Sequence, residues 1–363
     1  MSRTRALRLY AGAAARAHLQ RNGLSPADVR AIPAAAGGPK GLVLGPLDRF
    51  LFGDWLARSA QPIDLIGASI GAWRMATACL DDPVAAFNRL SRDYIAQHYE
   101  LSPGQKRPPP ERISERFGES LKAFYGGRVH EVLKHPRYRL HIVTSRGRHL
   151  MRREAGLRAP LGYLGAMLTN AVHRRAMGAW LERVVFSSPQ AGAPAVLPFA
   201  THDYRTRHLA LSEANFMDAL QASCSIPFVL RAVPQIAGAP PGAYWDGGIT
   251  DYHLHLDYGT QPGIVLYPHF QKQVVPGWLD KPWKWRHRAS HFLDHMLVLA
   301  PDPEWVRRLP NGKLPDRNDF STYSHDLPGR MKAWNGAVSA AQQLTDEFAE
   351  WLLRPDLGQV SAL

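Results

Sequence analysis

A serine stands between two glycines in the stretch LIGASIGAW, where Gly67 and Gly71 lie two residues on either side of Ser69. This G-x-S-x-G spacing is typical of a nucleophile on a sharp turn from a strand into a helix, because larger side chains would collide at the flanking positions. Such a serine needs a neighbouring base and donors for the developing oxyanion. The alternative interpretation is a glycine-rich turn in which Ser69 caps a helix.

A second glycine turn, GGPKG, contains Gly37, Gly38, Lys40 and Gly41. Adjacent glycines allow backbone amides to converge on an anion without obstruction by side chains. Pro39 has no N–H and fits better at the start of the following helix. We therefore predict oxyanion donors at Gly37, Gly38 and Lys40. A plain turn or a phosphate-binding loop is the alternative, although a P-loop lysine is followed by Ser or Thr and not by glycine.

A third turn follows the apolar residues AYW, where Asp246 precedes Gly247 and Gly248. An aspartate at a strand end followed by two glycines is presented with little steric cover. As a general base it would have to lie within hydrogen-bond reach of the Ser69 hydroxyl. The pattern alone is weak, because Asp-Gly pairs are common in turns.

The segments around these turns predict how the chain is organised. PIDLIGAS is a short buried strand that opens into the helix IGAWRMATACL, and DVRAIPAAAGGPKG likewise runs into apolar residues at helical spacing. Two successive strand–turn–helix units favour a sheet with parallel strands, covered by helices. YRLHIVTS, ERVVFSS and GIVLYP predict further strands.

Helices are predicted over residues 6–21 and 111–135, near 160–181, and in SEANFMDALQASCSIP with Ser212 as the N-cap. Residues 102–112 are rich in proline and charge and predict an exposed loop. AWNGAVSAAQQLTDEFAEWLL predicts one closing helix.

Taken in order, GGPKG, GASIG and DGG resemble the three motifs of the patatin-like phospholipases, G-G-x-[RK]-G, G-x-S-x-G and D-G-[GA]. ASCSIPFVL resembles the Ala-Ser-x-x-x-Pro segment that precedes the aspartate in that family, so the resemblance spans about residues 29–268. It implies a three-layer α/β/α fold with a central, mostly parallel sheet. We expect a single domain over residues 1–363, with 270–363 as a C-terminal extension.

The resemblance also implies a lipid acyl hydrolase of the phospholipase A, lysophospholipase or esterase type, with a Ser–Asp dyad and no cofactor. Ser69 would be the nucleophile that forms the acyl-enzyme, and Asp246 the base. Gly37 and Gly38 would hold the oxyanion, and Lys40 stands where the family has Arg or Lys.

The chain departs from the family pattern at two places. Ala36 precedes the first loop where many members have a further glycine. ITDYHLH follows the paired glycines where many members have an asparagine and a proline. Neither departure removes a catalytic group, and both leave the substrate class open.

Other interpretations compete with the dyad. A Ser-His-Asp esterase or thioesterase would place its histidine after the acid, where His253, His255 and His269 are available. A catalytically silent lipid-binding scaffold of the same fold is a third interpretation. His253, His255 and Asp257 form H-x-H-x-D, a pattern that suits a metal on one face of a strand. We favour a solvent-facing polar strand there and predict no metal.

The chain has a formal net charge of +13, which attracts anionic partners such as nucleic acid or anionic lipid surfaces. No nucleic-acid motif stands out, and we expect no nucleic-acid partner. VVPGWLDKPWKWRHR interleaves tryptophans with cations. We predict contact with an anionic membrane surface at Trp283, Lys284 and Trp285, with a packed structural loop or single-stranded nucleic acid as alternatives.

The sequence also bears on location. It has no apolar run long enough to span a membrane, and Arg16 interrupts the small residues near the start, which argues against a signal peptide. Cys79 and Cys224 lie far apart without metal spacing. We therefore expect a cytoplasmic protein with reduced, packed thiols, placed in the cytoplasm or peripherally on a membrane.

Overall fold

A computed structural model describes residues 4–99, 105, 108–154, 158–190, 195–260 and 262–363. The strands in these ranges are β1 (Leu7–Ala11), β2 (Val29–Ala34), β3 (Ile63–Ala68), β4 (Tyr138–Gly147), β5 (Leu181–Ser187), β6 (Thr206–Ala210), β7 (Tyr244–Asp246), β8 (Ile264–Pro268), β9 (Met296–Pro301) and β10 (Val360–Ala362). The α-helices there are α1 (Ala13–Asn22), α2 (Gly45–Phe50), α3 (Ile70–Ala78), α4 (Pro83–Ile95), α5 (Pro110–Tyr125), α6 (Val129–Leu133), α7 (Arg158–Val172), α8 (Phe216–Cys224), α9 (Pro303–Val306), α10 (Asn318–Thr322), α11 (Leu327–Ala340) and α12 (Gln342–Leu353).

The strands form one mixed sheet in the order β10-β1-β9-β8-β2-β3-β4-β5-β6, with β7 paired to β4 beside this path. Strands β9, β8, β2, β3 and β4 run parallel to one another, whereas β1 is antiparallel to β9 and β5 is antiparallel to β4. Helices flank the sheet, and the predicted three-layer α/β/α fold with a mostly parallel sheet is confirmed.

Alternate residues of the central strands are buried on opposite faces of the sheet, as the period of two in a strand requires. On β3, Ile63 and Leu65 belong to the larger apolar cluster, which includes Trp73 of α3. Ile66 and Ala68 point to a second cluster on the other face, which includes Leu254 and other residues downstream of β7. Every residue of β3 is buried, which explains why PIDLIGAS reads as a continuous apolar run.

The N-terminal prediction was wrong in part. Residues 6–21 are not one helix, because the chain first forms β1 and only then α1. Leu7, Leu9 and Ala11 are buried with less buried residues between them, a strand alternation that fills the place between β9 and β10. Propensity alone misses this strand, since tertiary pairing overrides it.

The helix predicted from Ser212 was also placed too early. It begins at Phe216, with Asn215 as its N-cap residue. The Asn215 Oδ1 accepts the Ser212 backbone N–H at 2.8 Å, so this segment is a turn before the helix.

At the C-terminus the single closing helix is two helices, α11 and α12, which meet at Ala341. Strand β10 follows and pairs parallel to β1, so the C-terminal segment supplies β9 and β10 to the same sheet. The loop predicted over residues 102–112 lies partly outside the described residues, and α5 already begins at Pro110.

Two further sequence predictions concern thiols and membranes. Cys79 and Cys224 are buried free thiols, as predicted. Among the helices that the structure describes, none combines the length and the apolar character needed to cross a bilayer.

Candidate active site

Ser69 and Asp246 meet because strand β4 pairs with two different strands in succession. Ala68, the last residue of β3, lies opposite Val143 of β4. Asp246, the last residue of β7, lies opposite Thr144, the next residue of β4. Both strand ends therefore reach the same edge of the sheet at neighbouring positions, although they are far apart in sequence.

The Ser69 side chain donates a hydrogen bond from Oγ to the Asp246 Oδ2 at 2.6 Å, and both residues are almost fully buried. Ser69 has φ +58° and ψ −130°, a left-handed backbone conformation that non-glycine residues rarely adopt. Such an outlier at a strand-to-helix turn is typical of functional sites. The structure thus brings together the two residues that the motifs single out.

The flanking glycines are required by close backbone approach. A Cβ at Gly67 would lie 2.3 Å from the Ala72 Cα, and one at Gly71 would lie 1.9 Å from the Ala34 carbonyl oxygen. No side chain is accommodated at such distances. The spacing in LIGASIGAW therefore has the steric cause that the motif predicts.

The Asp246 carboxylate is held at both oxygens. Its Oδ1 accepts the backbone N–H of Gly248 at 2.7 Å, while Oδ2 accepts the Ser69 hydroxyl. Its own backbone N–H donates to the Ser225 carbonyl at 2.8 Å. Burial raises the pKa of Asp246 above its usual range, and the hydrogen bond from Ser69 and the charge of Arg317 partly offset that rise. A carboxylate with a raised pKa is a stronger base than an exposed one.

The glycines after Asp246 lie under the carboxylate in close contact with the sheet. A Cβ at Gly247 would lie 2.1 Å from the Val143 carbonyl oxygen, and one at Gly248 would lie 2.6 Å from the Ala36 Cβ. Gly41 differs, because its nearest neighbour, the Ile70 Cγ1, is 3.4 Å away. The structure leaves room for a methyl group at Gly41.

A further serine, Ser223 of α8, supports the Ser69 backbone. Its Oγ accepts the Ser69 N–H at 3.0 Å and donates to the Val143 carbonyl at 2.7 Å. Sequence reasoning quoted this serine within ASCSIPFVL but assigned it no role. No local signal identifies it, because its partners lie on two other strand ends.

The GGPKG loop places two amides at the start of a helical turn. Gly37 is extended with φ 173°, and Gly38 has φ +57°, in the left-handed region that favours glycine. A 3₁₀-helix begins at Gly38, so its i→i+3 pattern assigns the amide of Lys40 to the carbonyl of Gly37. The amides of Gly37 and Gly38 lie before the first intrahelical donor and are the ones available to an anion. Lys40 offers its ammonium group to the site.

A cavity of about 230 Å³ opens in front of Asp246. Its wall combines the GGPKG loop, the segment after α8, the DGG turn and two pieces of the C-terminal segment. The lining residues are Ala36, Gly37, Lys40, Ile226, Pro227, Asp246, Gly248, Ile249, Tyr252, Trp278, Lys281, Asp316, Arg317 and Asn318. The contribution of Lys281, Asp316 and Arg317 was not predicted, because residues 270–330 show no periodicity that would place them.

The three histidines of the triad alternative are buried and bonded elsewhere. His253 Nδ1 pairs with the Gln273 carbonyl at 3.0 Å, His255 Nδ1 with the Val274 carbonyl at 2.8 Å, and His269 Nδ1 with the Gln271 carbonyl at 2.5 Å. Burial lowers the pKa of all three, to about 4 for His255 and about 3 for His269. In the described part of the chain no hydrogen bond joins any of them to Ser69 or Asp246.

The H-x-H-x-D segment is not the solvent-facing strand that its alternation predicts. Residues 252–258 have no regular strand, Leu254 has φ +51°, and His253 and His255 are buried against the second cluster. Desolvation of the neighbouring Leu254 and Leu256 draws the whole segment inward. Within the described residues no group of three or more His, Cys, Asp or Glu side chains is arranged to hold a metal ion.

The predicted membrane-contact residues lie on a short helical turn after Trp278. Trp285 is 61% exposed and Lys284 is exposed, whereas Trp283 is half-buried and contacts the Trp285 ring at 5.1 Å. The preceding Asp280 is buried and accepts Arg174 and Arg286 at 3.0 and 2.8 Å, which anchors this turn.

Comparison with known proteins gives one family. The family model described as patatin-like phospholipase matches residues 37–253, a stretch that includes GGPKG, GASIG and DGG. No curated protein matches the chain.

Proposed function

Because this chain belongs to the patatin-like phospholipase family, we propose that it hydrolyses acyl esters of lipids through a dyad of Ser69 and Asp246. Membership in that family indicates lipid acyl hydrolase activity. The observation that carries the proposal is the 2.6 Å hydrogen bond from the Ser69 Oγ to the Asp246 Oδ2, beside a cavity that Asp246 lines.

In the acylation step, the Ser69 oxygen attacks the carbonyl carbon of the ester while its proton passes to the Asp246 carboxylate. The carbonyl oxygen becomes an oxyanion, which the amides of Gly37 and Gly38 stabilise together with the positive charge of Lys40. The carbon–oxygen bond to the alcohol then breaks, and the alcohol leaves with the proton from Asp246. The acyl group stays on Ser69.

Deacylation repeats these steps with water. Asp246 takes a proton from a water molecule that attacks the acyl carbon, and the tetrahedral intermediate collapses with return of the proton to the Ser69 oxygen. The products are a carboxylic acid and the free enzyme. No cofactor enters either step.

Site substitutions test the dyad. Phospholipids, lysophospholipids, glycerides and short p-nitrophenyl esters are offered to the wild type, Ser69→Ala and Asp246→Asn. We expect each variant to lose at least about a thousandfold in kcat, since removing one member of a nucleophile–base unit costs that much. Ser120→Ala and Asp54→Asn, both exposed and far from the cavity lining, are the matched controls. Wild-type activity in either dyad variant would disprove the assignment.

The competing functions give different results in the same assays. A Ser-His-Asp esterase or thioesterase would lose its chemistry when one of His253, His255 and His269 is replaced by glutamine. The buried bonds of these side chains to backbone carbonyls favour intact chemistry in all three variants. A silent lipid-binding scaffold would bind lipid without hydrolysing any ester.

A further inference from the structure

Three cations surround the cavity in front of the dyad. Lys40 comes from the GGPKG loop, whereas Lys281 and Arg317 come from the C-terminal segment beyond the region matched by the family. Within the described residues none of the three forms a salt bridge. Their charges are therefore directed at the cavity and its solvent without a dedicated acidic partner.

The surroundings of these cations keep them at the cavity. The Lys281 Nζ lies 3.9 Å from the centre of the Tyr252 ring, and the Lys40 Nζ lies 5.3 Å from that of Phe270. The Arg317 Nε lies against Gly38, 3.3 Å from the position of a Cβ there. The cationic groups thus border both the oxyanion loop and the segment that follows Asp246.

The acidic groups at the cavity do not neutralise this charge. Asp316 lines the cavity but pairs with Lys313 at 2.8 Å, and Asp246 is engaged with Ser69. Burial and repulsion from Arg317 and Lys40 lower the pKa of Lys281 to about 8. Such repulsion shows that the cations lie close enough together to gain from a shared anion.

We propose that Lys281 and Arg317 bind a phosphate group carried by the ester substrate next to its scissile carbonyl. The inference rests on the proposed function and specifies its substrate as a phosphate-bearing acyl ester in preference to a neutral one. The guanidinium of Arg317 suits a phosphate with paired N–H donors, and Lys281 adds a point charge.

A matched pair of substrates tests this preference, namely a 1-acyl-glycerol-3-phosphate and the 1-acyl-glycerol with the same acyl chain. We expect wild-type kcat/KM to favour the phosphate by about ten- to a hundredfold, the range for charge-assisted hydrogen bonds. Lys281→Gln with Arg317→Gln should remove that preference, mainly through KM, and leave the neutral ester unchanged. Lys332→Gln with Arg308→Gln, on exposed cations outside the cavity, should keep it.

Two further arms separate the outcomes. Binding of the phosphate ester to Ser69→Ala protein needs no turnover, and the Lys281/Arg317 double substitution should weaken it about tenfold or more. If wild type hydrolyses neither ester, the proposed function fails while this binding still decides the inference. Equal kcat/KM for both esters would overturn the inference alone. Inhibition by inorganic phosphate without a substrate preference would also overturn it, because the site would then take free phosphate.

A separate observation concerns helix α7, whose outward face is apolar. Residues 160–172 contain no charged side chain. Leu161, Leu164, Leu168 and Val172 are 58%, 48%, 58% and 84% exposed, although apolar side chains on a surface helix usually face the core. Tyr163 on the other side packs in a core cluster with Trp245, so the helix is seated and its exposed face is unpartnered in this chain.

This apolar face continues at both ends of α7. Phe228 is 61% exposed and contacts the Tyr163 ring at 5.6 Å, and it directly follows Ile226 and Pro227 of the cavity wall. Near the other end Arg286 donates to the Asn170 Oδ1 at 3.2 Å, which brings the exposed Trp285 next to the helix. We call Phe228, the outward face of α7 and Trp285 the apolar surface.

Charge indicates what covers the apolar surface. Lys284 and Arg288 are exposed on either side of Trp285, and the chain as a whole carries +13. Large apolar patches mark interaction sites, and tryptophan beside cations suits the head-group region of an anionic bilayer. We infer that the apolar surface docks on an anionic lipid bilayer, with the mouth of the cavity at the membrane.

Vesicle binding tests this docking surface. Co-sedimentation with phosphatidylcholine vesicles containing phosphatidylglycerol should lose about tenfold or more in partition when Leu164→Glu and Leu168→Glu are combined, since apolar burial is replaced by charges that anionic lipid repels. Leu353→Glu, at an 82% exposed leucine of α12, is the matched control. Hydrolysis of a soluble short-chain ester should be unchanged in all variants, which separates docking from the proposed function.

Salt and oligomeric state complete the test. Wild-type partition should fall as ionic strength rises, because screening weakens the attraction of exposed cations. Wild-type partition in the Leu164/Leu168 variant would overturn the proposal. A wild-type dimer that dissociates in that variant, with no vesicle binding by either protein, would also overturn it, since a second copy would then be the occupant.

Discussion

The hydroxyl of Ser223 accepts the backbone N–H of Ser69 at 3.0 Å and passes its own proton to the Val143 carbonyl at 2.7 Å. One side chain of α8 therefore connects the turn after β3 to the end of β4. Ser69 holds a left-handed backbone conformation that is costly for a residue with a Cβ. This hydrogen bond compensates part of that cost and fixes the direction of the Ser69 side chain.

Replacing Ser223 by alanine should weaken the site without removing a catalytic group. The buried N–H of Ser69 would lose its partner, at about 1–3 kcal/mol in the free energy of unfolding. We expect kcat to fall about tenfold with little change in KM. Ser223→Thr, which keeps the hydroxyl, should restore most of the rate. The control is Ser225→Ala, whose Oγ bonds to the Gln221 carbonyl of its own helix; an equal loss of kcat there would contradict the positioning role.

The pH dependence of the reaction should follow Asp246. Burial raises the pKa of this carboxyl, and only its ionised form accepts the Ser69 proton. We therefore expect kcat/KM to fall as the pH drops through a value above that of an ordinary aspartate. A rate profile over acidic pH measures it, and Asp54→Asn, at an exposed residue, should leave the profile unchanged.

Stability should respond to Asp246 with the opposite sign. A raised pKa means that the folded state binds the proton more tightly than the unfolded state. The corresponding stabilisation is complete below the unfolded pKa and is lost as the pH rises through the folded pKa. Asp246→Asn should thus raise Tm at neutral pH, by about 2–4 °C per kcal/mol, and the gain should shrink on acidification. A variant less stable than wild type at pH 7 would contradict this.

The glycine at position 71 should be irreplaceable for folding. A Cβ there would lie 1.9 Å from the Ala34 carbonyl oxygen, and both groups are backbone or attached to it. We expect Gly71→Ala to cost more than about 4 kcal/mol in urea unfolding or to prevent soluble expression. Gly45→Ala is the control, because its Cβ would meet only the end of Arg49 at 3.8 Å. Similar losses in the two variants would contradict the steric explanation.

A buried ion pair joins the two helices that follow the glycine turns. Arg74 of α3 donates to both carboxylate oxygens of Asp48 of α2 at 2.7 Å, and both side chains are buried. Burial raises the pKa of Asp48, and Arg74 opposes that rise. Arg74→Met should cost about 3–5 kcal/mol in unfolding free energy, because it leaves a buried carboxylate unpaired.

Combining Arg74→Met with Asp48→Leu should recover most of this loss, because the buried charge is then gone. Urea unfolding of the single and double variants provides the measurement. A double variant as unstable as the single one would show that packing, and not the unpaired charge, causes the loss.

Much of the fold could be predicted because its signals are local. Strands β3, β4, β5 and β8 were predicted from short apolar runs, and α3 from the turn that starts it. The failures are equally physical. β1 needs β9 and β10 beside it, and the helix after Ser212 begins at Asn215, where a side-chain hydrogen bond closes a turn first.

The sequence by itself determined the chemistry of this protein's turns: a serine, an aspartate and paired glycines whose spacing follows from backbone collisions within a few residues. Only the tertiary structure decided what stands around them. Ser223 reaches Ser69 because α8 packs on the end of β4, and Lys281 and Arg317 reach the cavity from segments without regular periodicity. Contacts between distant segments depend on strand pairing and helix packing, and no local pattern of residues encodes them.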